Sequence, residues 1–139
     1  MNLLTMFHSS SLVKIVNFET VQEALKHPET HVLVNVLSSD EQDCLILNTL
    51  PIHLEEKTIN QWVQSYEGAS KTVILYGKNC GDYSLLEKKN KDFISLGFFN
   101  TYVYLGGLFE WVLLQDIYGT ENFPTTKIIL DILQFRGMK

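Results

Sequence analysis

Four short apolar runs dominate the hydrophobic pattern of the chain, and each has the composition of a β-strand. They cover residues 12–18, 32–37, 72–76 and 101–105. The second and third runs are nearly continuous in β-branched and other apolar residues, which is typical of strands that are covered on both faces. The pattern therefore predicts a parallel sheet whose inner strands are enclosed.

The segments between these runs have the period of amphipathic helices, about 3.6 residues. Helices are predicted to begin near Thr20, Thr58, Ser84 and Gly107, and the last three to end near Gly68, Gly97 and Gly119. Thr20 and Ser84 are each followed three residues later by Glu, which is the pattern of a capping box. A further helix is predicted after Pro124, so that residues 119–139 would add an extra C-terminal helix packed on the domain.

The alternation of strands and helices predicts the fold class. It is typical of an α/β fold in three layers, with a mostly parallel central sheet flanked by helices on both faces. The length of 139 residues corresponds to one domain, so we expect a single domain over residues 1–139. Ligand sites in such sheets lie beyond the carboxyl ends of the strands. The loop after Tyr76 is therefore the first candidate for a site.

Composition and charge exclude several classes of function. The chain has 11 basic and 16 acidic residues, and its only Arg is Arg136. Because Arg is the usual residue for recognising phosphates and base edges, we expect no nucleic-acid partner. No apolar run approaches the length of a membrane span, so we expect no membrane partner.

Cysteine and histidine usage bears on location and on cofactors. Two cysteines, Cys44 and Cys80, are too few for a disulfide scaffold, which indicates a cytoplasmic protein with reduced thiols. Together with the four histidines they show no zinc-ligand spacing, so we expect no metal and no cofactor. Residues 1–8 lack the basic flank of a signal peptide, and no targeting sequence is predicted.

The loop after Tyr76 joins a buried strand to a helix and contains Cys80. Backbone N–H groups in such a loop can form a concavity for an anion, which the positive end of the helix reinforces. Cys80 is the candidate nucleophile because a thiolate there gains these donors. The candidate anion-binding loop comprises Gly77, Lys78, Asn79, Gly81, Asp82, Tyr83 and Ser84, in which Lys78 adds a positive charge. The alternative for Cys80, and the preferred interpretation for Cys44, is a small buried apolar residue.

The stretch from Cys80 to Trp111 resembles the second half of a rhodanese-like domain. After Cys80, the family's order and usual distances are matched by Gly97-Phe98, Asn100, the strand at residues 102–105, Gly106-Gly107 and Trp111. Residues 32–37 are similar to a strand in the first half of that domain, and the resemblance covers roughly residues 12–118. Residues 43–46 and the tail after Trp111 look like those of rhodanese-like proteins encoded by large DNA viruses.

The resemblance implies a sulfurtransferase without a cofactor. In that family the Cys thiolate takes the outer sulfur of thiosulfate or of a persulfide and holds it as an enzyme persulfide. An acceptor thiol or cyanide then removes the sulfur. The loop amides would stabilise the anionic sulfur in both states, and the partners implied are a small sulfur donor and a small acceptor.

Several residues around the loop depart from the family pattern. The family's Cys directly follows the strand, a place that Gly77 occupies here. Either Cys80 is the nucleophile in a longer loop, or Gly77 replaces the nucleophile. Asn35 and Leu37 stand where the family has an Asp and an Arg, so that ion pair is absent. The loop contains Lys78 and no Arg, which argues against the phosphatases that share the fold.

Two hypotheses about function follow. The preferred one is a catalytically degenerate rhodanese-like module that binds a protein partner, in the host cytoplasm or in a virus particle if the chain is viral. The alternative is a small sulfurtransferase that forms a persulfide on Cys80.

Overall fold

All four strands lie in one sheet, and every neighbouring pair is parallel. The computed structural model describes residues 12–137, and its strands are β1 (Ile15–Val16), β2 (His31–Asn35), β3 (Thr72–Tyr76) and β4 (Asn100–Tyr104). Their order across the sheet is β1-β4-β3-β2. β3 is paired along its whole length with β2 on one side and β4 on the other, so its carboxyl end lies at the middle of the sheet edge.

Among the described residues, three helices connect successive strands and a fourth follows β4. They are α1 (Phe18–Ala24), α2 (Ile52–Gln64), α3 (Tyr83–Ser95) and α4 (Gly107–Tyr118). Short 3-10 turns occur at Ser39–Glu41, Gly68–Ser70, Cys80–Asp82 and Ile132–Phe135. Within residues 12–137, no helix is both long enough and apolar enough to cross a bilayer.

Two apolar cores lie on opposite faces of the sheet. Alternate residues of a strand point to opposite faces, and β3 accordingly sends Ile74 and Tyr76 into one core and Val73 and Leu75 into the other. The first core is covered by α1 and α4, and the second by α2 and α3. This arrangement confirms the predicted three-layer α/β architecture, which is consistent with a rhodanese-like fold.

The four strands lie where the sequence predicts them, but the first strand is much shorter than predicted. The run at residues 12–18 forms only the two-residue β1, because Phe18 already begins α1. The Asn17 side chain caps that helix by accepting a hydrogen bond from the Thr20 amide at 3.2 Å. The capping box at Thr20 is therefore wrong, since Asn17 precedes it and satisfies the same free donor.

Two further helix starts differ from the prediction, whereas the helix ends agree better. α2 begins at Ile52, directly after Pro51, and not at Thr58. α3 begins at Tyr83 with Asp82 at its N-cap position, so the capping box at Ser84 is also wrong. The predicted boundaries of α4 are confirmed at both ends.

The predicted C-terminal helix after Pro124 is wrong. Residues 124–126 lie extended against residues 45–47: Leu47 N–H donates to Pro124 O at 3.1 Å, and Thr126 N–H donates to Leu45 O at 2.8 Å. Only one 3-10 turn, Ile132–Phe135, follows in the described part of this segment. In this extended arrangement, Pro124 and Thr126 form backbone hydrogen bonds with residues 45–47 that they could not form from within a helix. Phe123 and Phe135 pack into the first core.

Candidate functional site

The loop that contains Cys80 begins where β3 ends, at the middle of the carboxyl edge of the sheet. Gly77 is buried, Lys78 and Asn79 are half-buried, and Cys80 is exposed. Cys80 opens the 3-10 turn that leads into α3. The structure therefore places an exposed thiol next to a helix start.

The underside of the loop rests on the first turn of α4. The carbonyl oxygens of Gly77 and Lys78 accept hydrogen bonds from the amides of Leu108 (3.0 Å) and Phe109 (2.9 Å). Gly107 has a φ of +66°, and a Cβ built on it would lie 2.6 Å from the oxygen of Gly77. Only glycine fits this close approach of two backbone segments. The helix N-terminus of α4 therefore binds the loop's own carbonyl groups.

Three amides of the loop already donate to acceptors within the loop, two of them to side chains. The Lys78 amide donates to Asp82 Oδ2 at 2.7 Å, and the Gly81 amide donates to Asn79 Oδ1 at 2.8 Å. The Asp82 amide donates to the carbonyl oxygen of Asn79 at 3.1 Å. Asn79 in turn donates through Nδ2 to the Phe135 carbonyl at 2.9 Å, which ties the loop to the C-terminal segment.

The carboxylate of Asp82 lies where a side chain at position 77 would point. A Cβ built on Gly77 would be 2.5 Å from Asp82 Oδ2 and 2.9 Å from Asp82 Cβ. Position 77 is the one that directly follows β3. The space beside the end of the strand is thus filled by a carboxylate that belongs to the chain itself.

The positive charge of Lys78 faces another carboxylate. Lys78 Nζ lies 2.5 Å from Glu41 Oε2, and both side chains are about one-third exposed (32% and 38%). The Ser38 hydroxyl donates to Glu41 Oε1 at 2.7 Å. Hydrogen bonding from Lys78 first, and from Ser38 second, holds the pKa of Glu41 below its usual range. The lysine that the sequence assigns to an incoming anion is therefore paired within the chain.

The remaining predicted site residues, Tyr83 and Ser84, form the exposed first turn of α3. Cys44 is buried, as predicted, with 3% of its surface exposed. Its Sγ donates to the Lys127 carbonyl at 3.4 Å, and burial raises the pKa of the thiol. Among residues 12–137, no cluster of three or more His, Cys, Asp or Glu side chains could hold a metal ion.

Sequence reasoning did not identify the amide pair of Asn35 and Gln42 at the carboxyl end of β2. Asn35 Nδ2 donates to Gln42 Oε1 at 3.1 Å, and Gln42 Nε2 donates to Asn35 Oδ1 at 2.8 Å. The departure at Asn35 was the available signal, because a buried amide needs both a donor and an acceptor as partners. This edge of the sheet thus carries a neutral pair where the rhodanese-like pattern places an ion pair.

Comparisons with known proteins define the fold. The chain matches no protein-family model and no curated protein. It is similar to the crystal structure of the Alr3790 protein from Anabaena sp., with a TM-score of 0.55 and 23% identity over 86% of this chain and 97% of that one. It is also similar to the BH2092 protein from Bacillus halodurans, with a TM-score of 0.56 and 18% identity over 84% of this chain and 81% of that one. The chain shares their fold. At these identities the likeness concerns the fold alone.

Proposed function

We propose that the protein is a non-catalytic module of the rhodanese-like family and that its role is to bind a protein partner. The family assignment is supported by the three-layer parallel architecture and by the spacing of Gly97-Phe98, Gly106-Gly107 and Trp111 after Cys80. Within the pair Gly106-Gly107, the close contact of Gly107 with Gly77 explains why position 107 requires a glycine.

One observation carries the non-catalytic part of the proposal. The Asp82 carboxylate accepts the Lys78 amide and fills the space next to Gly77. A thiosulfate or persulfide anion would have to displace this carboxylate or lie beside it, and two like charges at close range repel each other. Transition-state stabilisation needs donors that are aimed at the reacting anion in advance. Here the amides of Lys78, Gly81 and Asp82 already have acceptors within the loop.

The pairing of Lys78 with Glu41 supports the same proposal. An ammonium group that is shared with a carboxylate offers little net charge to a second anion. Lys78, which was predicted to add a positive charge to the loop, therefore offers an incoming anion less than its formal charge.

A small sulfurtransferase is the second candidate, and the exposure of Cys80 favours it. In that reaction the Cys80 thiolate attacks the outer sulfur of thiosulfate, the sulfur–sulfur bond breaks, and sulfite leaves with the bonding electron pair. Cyanide then takes the outer sulfur from the persulfide as thiocyanate, and the thiolate is restored. An accessible thiol at a helix start satisfies the first requirement of this chemistry.

A turnover assay separates the two candidates. The protein is incubated with thiosulfate and cyanide, thiocyanate is followed with time, and the intact mass is measured after thiosulfate alone. We expect no thiocyanate above the rate of Cys80→Ser and no added sulfur on Cys80. Turnover that is lost in Cys80→Ser and retained in Cys44→Ser would overturn the non-catalytic proposal.

The cellular setting is proposed on narrower grounds. Cys44 and Cys80 are unpaired thiols, which supports a reducing compartment such as the cytoplasm. The resemblance of the tail to viral rhodanese-like proteins supports a host cytoplasm or a virus particle. Fractionation of the cells that make the protein tests both.

A further inference from the structure

A groove of about 630 Å³ runs between α2 and α3 on the second face of the sheet. Ile59 and Phe93 form its base and are buried in the core beneath. None of residues 77–84 lines it. The groove is therefore a separate feature from the Cys80 loop, and its volume lies within the range of about 300–1,000 Å³ that is usual for binding sites.

Apolar side chains stand exposed along the walls of the groove. Ile52 on α2 is 41% exposed, and Leu85 and Leu96 on α3 are 54% and 45% exposed. Burial of such side chains is favourable, and exposed apolar side chains with charged neighbours are typical of a surface that binds another protein.

The charges on the two walls differ in sign. The α2 wall carries Glu55 and Glu56, and the α3 wall carries Lys88 and Lys89, with Asp92 one turn later. Lys89 Nζ and Glu55 Oε2 bridge the walls at 2.7 Å. The other oxygen of Glu55 is buried and has no hydrogen-bond partner among residues 12–137. Because Glu55 and Lys89 compensate each other's charge, the exposed Glu56 and Lys88 are the charges of the two walls that a partner can meet.

The shape of the groove selects the conformation of its occupant. Its walls are two helices, whose backbone groups are already bonded within each helix. An extended peptide would find no backbone partners there, whereas a helix satisfies its own backbone and presents only side chains. The lining residues of the two walls lie within residues 52–60 and 85–96, which makes the groove about 14–18 Å long, or some three helical turns.

We propose that this groove binds an amphipathic α-helix of a partner protein. The apolar stripe of that helix packs on the exposed Ile52, Leu85 and Leu96, above the buried Ile59 and Phe93. Lys or Arg residues on one flank face Glu56, and acidic residues on the other flank face Lys88. This inference rests on the proposed interaction role and specifies the chemistry of the partner.

Designed helical peptides of about 16 residues test the proposal with the full-length chain. The first has a Leu stripe with Lys on one flank and Glu on the other. Two more carry Lys on both flanks or Glu on both flanks, and a fourth has Ala in place of the Leu stripe. Binding is measured by fluorescence anisotropy, and the site by amide chemical-shift changes.

We expect the two-signed peptide to bind in the micromolar range and about tenfold more tightly than either same-sign peptide. The Ala-stripe peptide should not bind. Shift changes should concentrate on residues 52–60 and 85–96. Equal affinity for all three Leu-stripe peptides, or shift changes elsewhere, would overturn the proposal.

Variants of the groove give the second test. Leu85→Asp and Glu56→Lys should each weaken binding of the two-signed peptide about tenfold. Ile117→Asp is the matched control for the first, because Ile117 is 62% exposed on α4 across the sheet. Glu87→Lys is the control for the second, because Glu87 is exposed on α3 and does not line the groove. Both controls should bind as the unaltered chain does.

Other occupants are outcomes of the same experiments. If the chain sediments as a dimer that Leu85→Asp dissociates, a second copy fills the groove and the helical-partner proposal is wrong. Failure here is distinguishable from failure of the proposed function. A persulfide on Cys80 overturns the non-catalytic role whatever the peptides do, whereas absence of peptide binding without turnover overturns only this inference.

Discussion

The carboxylate of Asp82 accepts the backbone N–H of Lys78 at 2.7 Å, four residues earlier in the chain. Because Asp82 also stands at the N-cap position of α3, this single side chain fixes the loop to the start of the helix. Asn79 makes the equivalent bond to Gly81. The loop is thus stabilised by internal acceptors, and its structure does not depend on a bound anion.

Replacing Asp82 should therefore destabilise the chain. Asp82→Ala leaves the Lys78 amide without its acceptor, and we expect the free energy of unfolding to fall by about 1–2 kcal/mol. Urea unfolding gives this value, and hydrogen exchange of the Lys78 amide should become about tenfold faster.

Asp116→Ala is the control for that experiment. Asp116 is exposed on α4, and its loss should change stability by less than about 0.5 kcal/mol. If the two variants unfold alike, the bond between Asp82 and Lys78 contributes nothing.

The contact between Gly107 and Gly77 predicts a second, larger effect. Gly107→Ala combines a positive φ with a Cβ placed 2.6 Å from the Gly77 oxygen, and we expect a loss of at least about 3 kcal/mol or failure to fold. Gly97→Ala separates the two causes, because Gly97 has a φ of +102° and nothing within 4 Å of the added Cβ.

The Gly97→Ala variant should lose only about 1–2 kcal/mol, the cost of the backbone conformation. Thermal and urea unfolding of both variants give the comparison. Equal losses of stability in the two variants would mean that the close contact between Gly107 and the Gly77 carbonyl adds nothing to the cost of the substitution.

The two thiols should differ in their accessibility to a labelling reagent. Cys80 is exposed, whereas Cys44 is 3% exposed and its pKa is raised by burial. We expect N-ethylmaleimide to modify Cys80 in the folded protein at least about a hundredfold faster than Cys44. In concentrated urea the two rates should converge. Mass spectrometry of proteolytic peptides gives both rates, and rapid labelling of Cys44 in the folded protein would contradict its placement.

Much of the fold could be predicted from the sequence because enclosed strands have a strong local signal. The run at residues 72–76 is apolar throughout, and it forms β3 with the predicted bounds. The two-residue β1 and the C-terminal segment could not be predicted in this way. Their conformations are set by pairing with residues that are distant in sequence, β1 with β4 and residues 124–126 with residues 45–47.

The sequence predicts where the candidate site lies, but not which of its polar groups are paired within the chain. The strand-loop-helix position of Cys80 follows from local patterns, and Cys80 is indeed exposed there. That Asp82 accepts the Lys78 amide, and that Glu41 pairs with Lys78, depends on side-chain directions that composition does not encode. A count of charges shows a lysine in the loop, and only the structure shows its partner.

Tyr76 makes stability depend on pH above the neutral range. Its hydroxyl accepts the Ile46 amide at 3.1 Å and lies 2.6 Å from Thr49 Oγ1. Because the Thr49 hydroxyl donates to the Ile46 carbonyl at 2.6 Å, its single hydrogen is used there and Tyr76 is the donor to Thr49. Burial raises the pKa of Tyr76 above its ordinary value.

The raised pKa of Tyr76 determines how the stability of the fold changes with pH. A raised pKa in the folded state means that the folded chain holds the phenol proton more tightly than the unfolded chain, whose tyrosine titrates near about pH 10. The stabilisation is fully present below that pH and is lost as the pH rises through the folded pKa. Near pH 11 the slope attributable to Tyr76 should approach about 1.4 kcal/mol per pH unit.

Urea unfolding from about pH 8 to about pH 11 measures this slope. Tyr76→Phe should be less stable at pH 8 by about 1–3 kcal/mol, since it leaves the buried Ile46 amide unpaired. It should also lose stability less steeply at high pH than the unaltered chain. Tyr66→Phe should keep the original slope, because Tyr66 is 94% exposed. Parallel curves for Tyr76→Phe and the unaltered chain would show that the Tyr76 phenol titrates alike in the folded and unfolded states, which contradicts its burial.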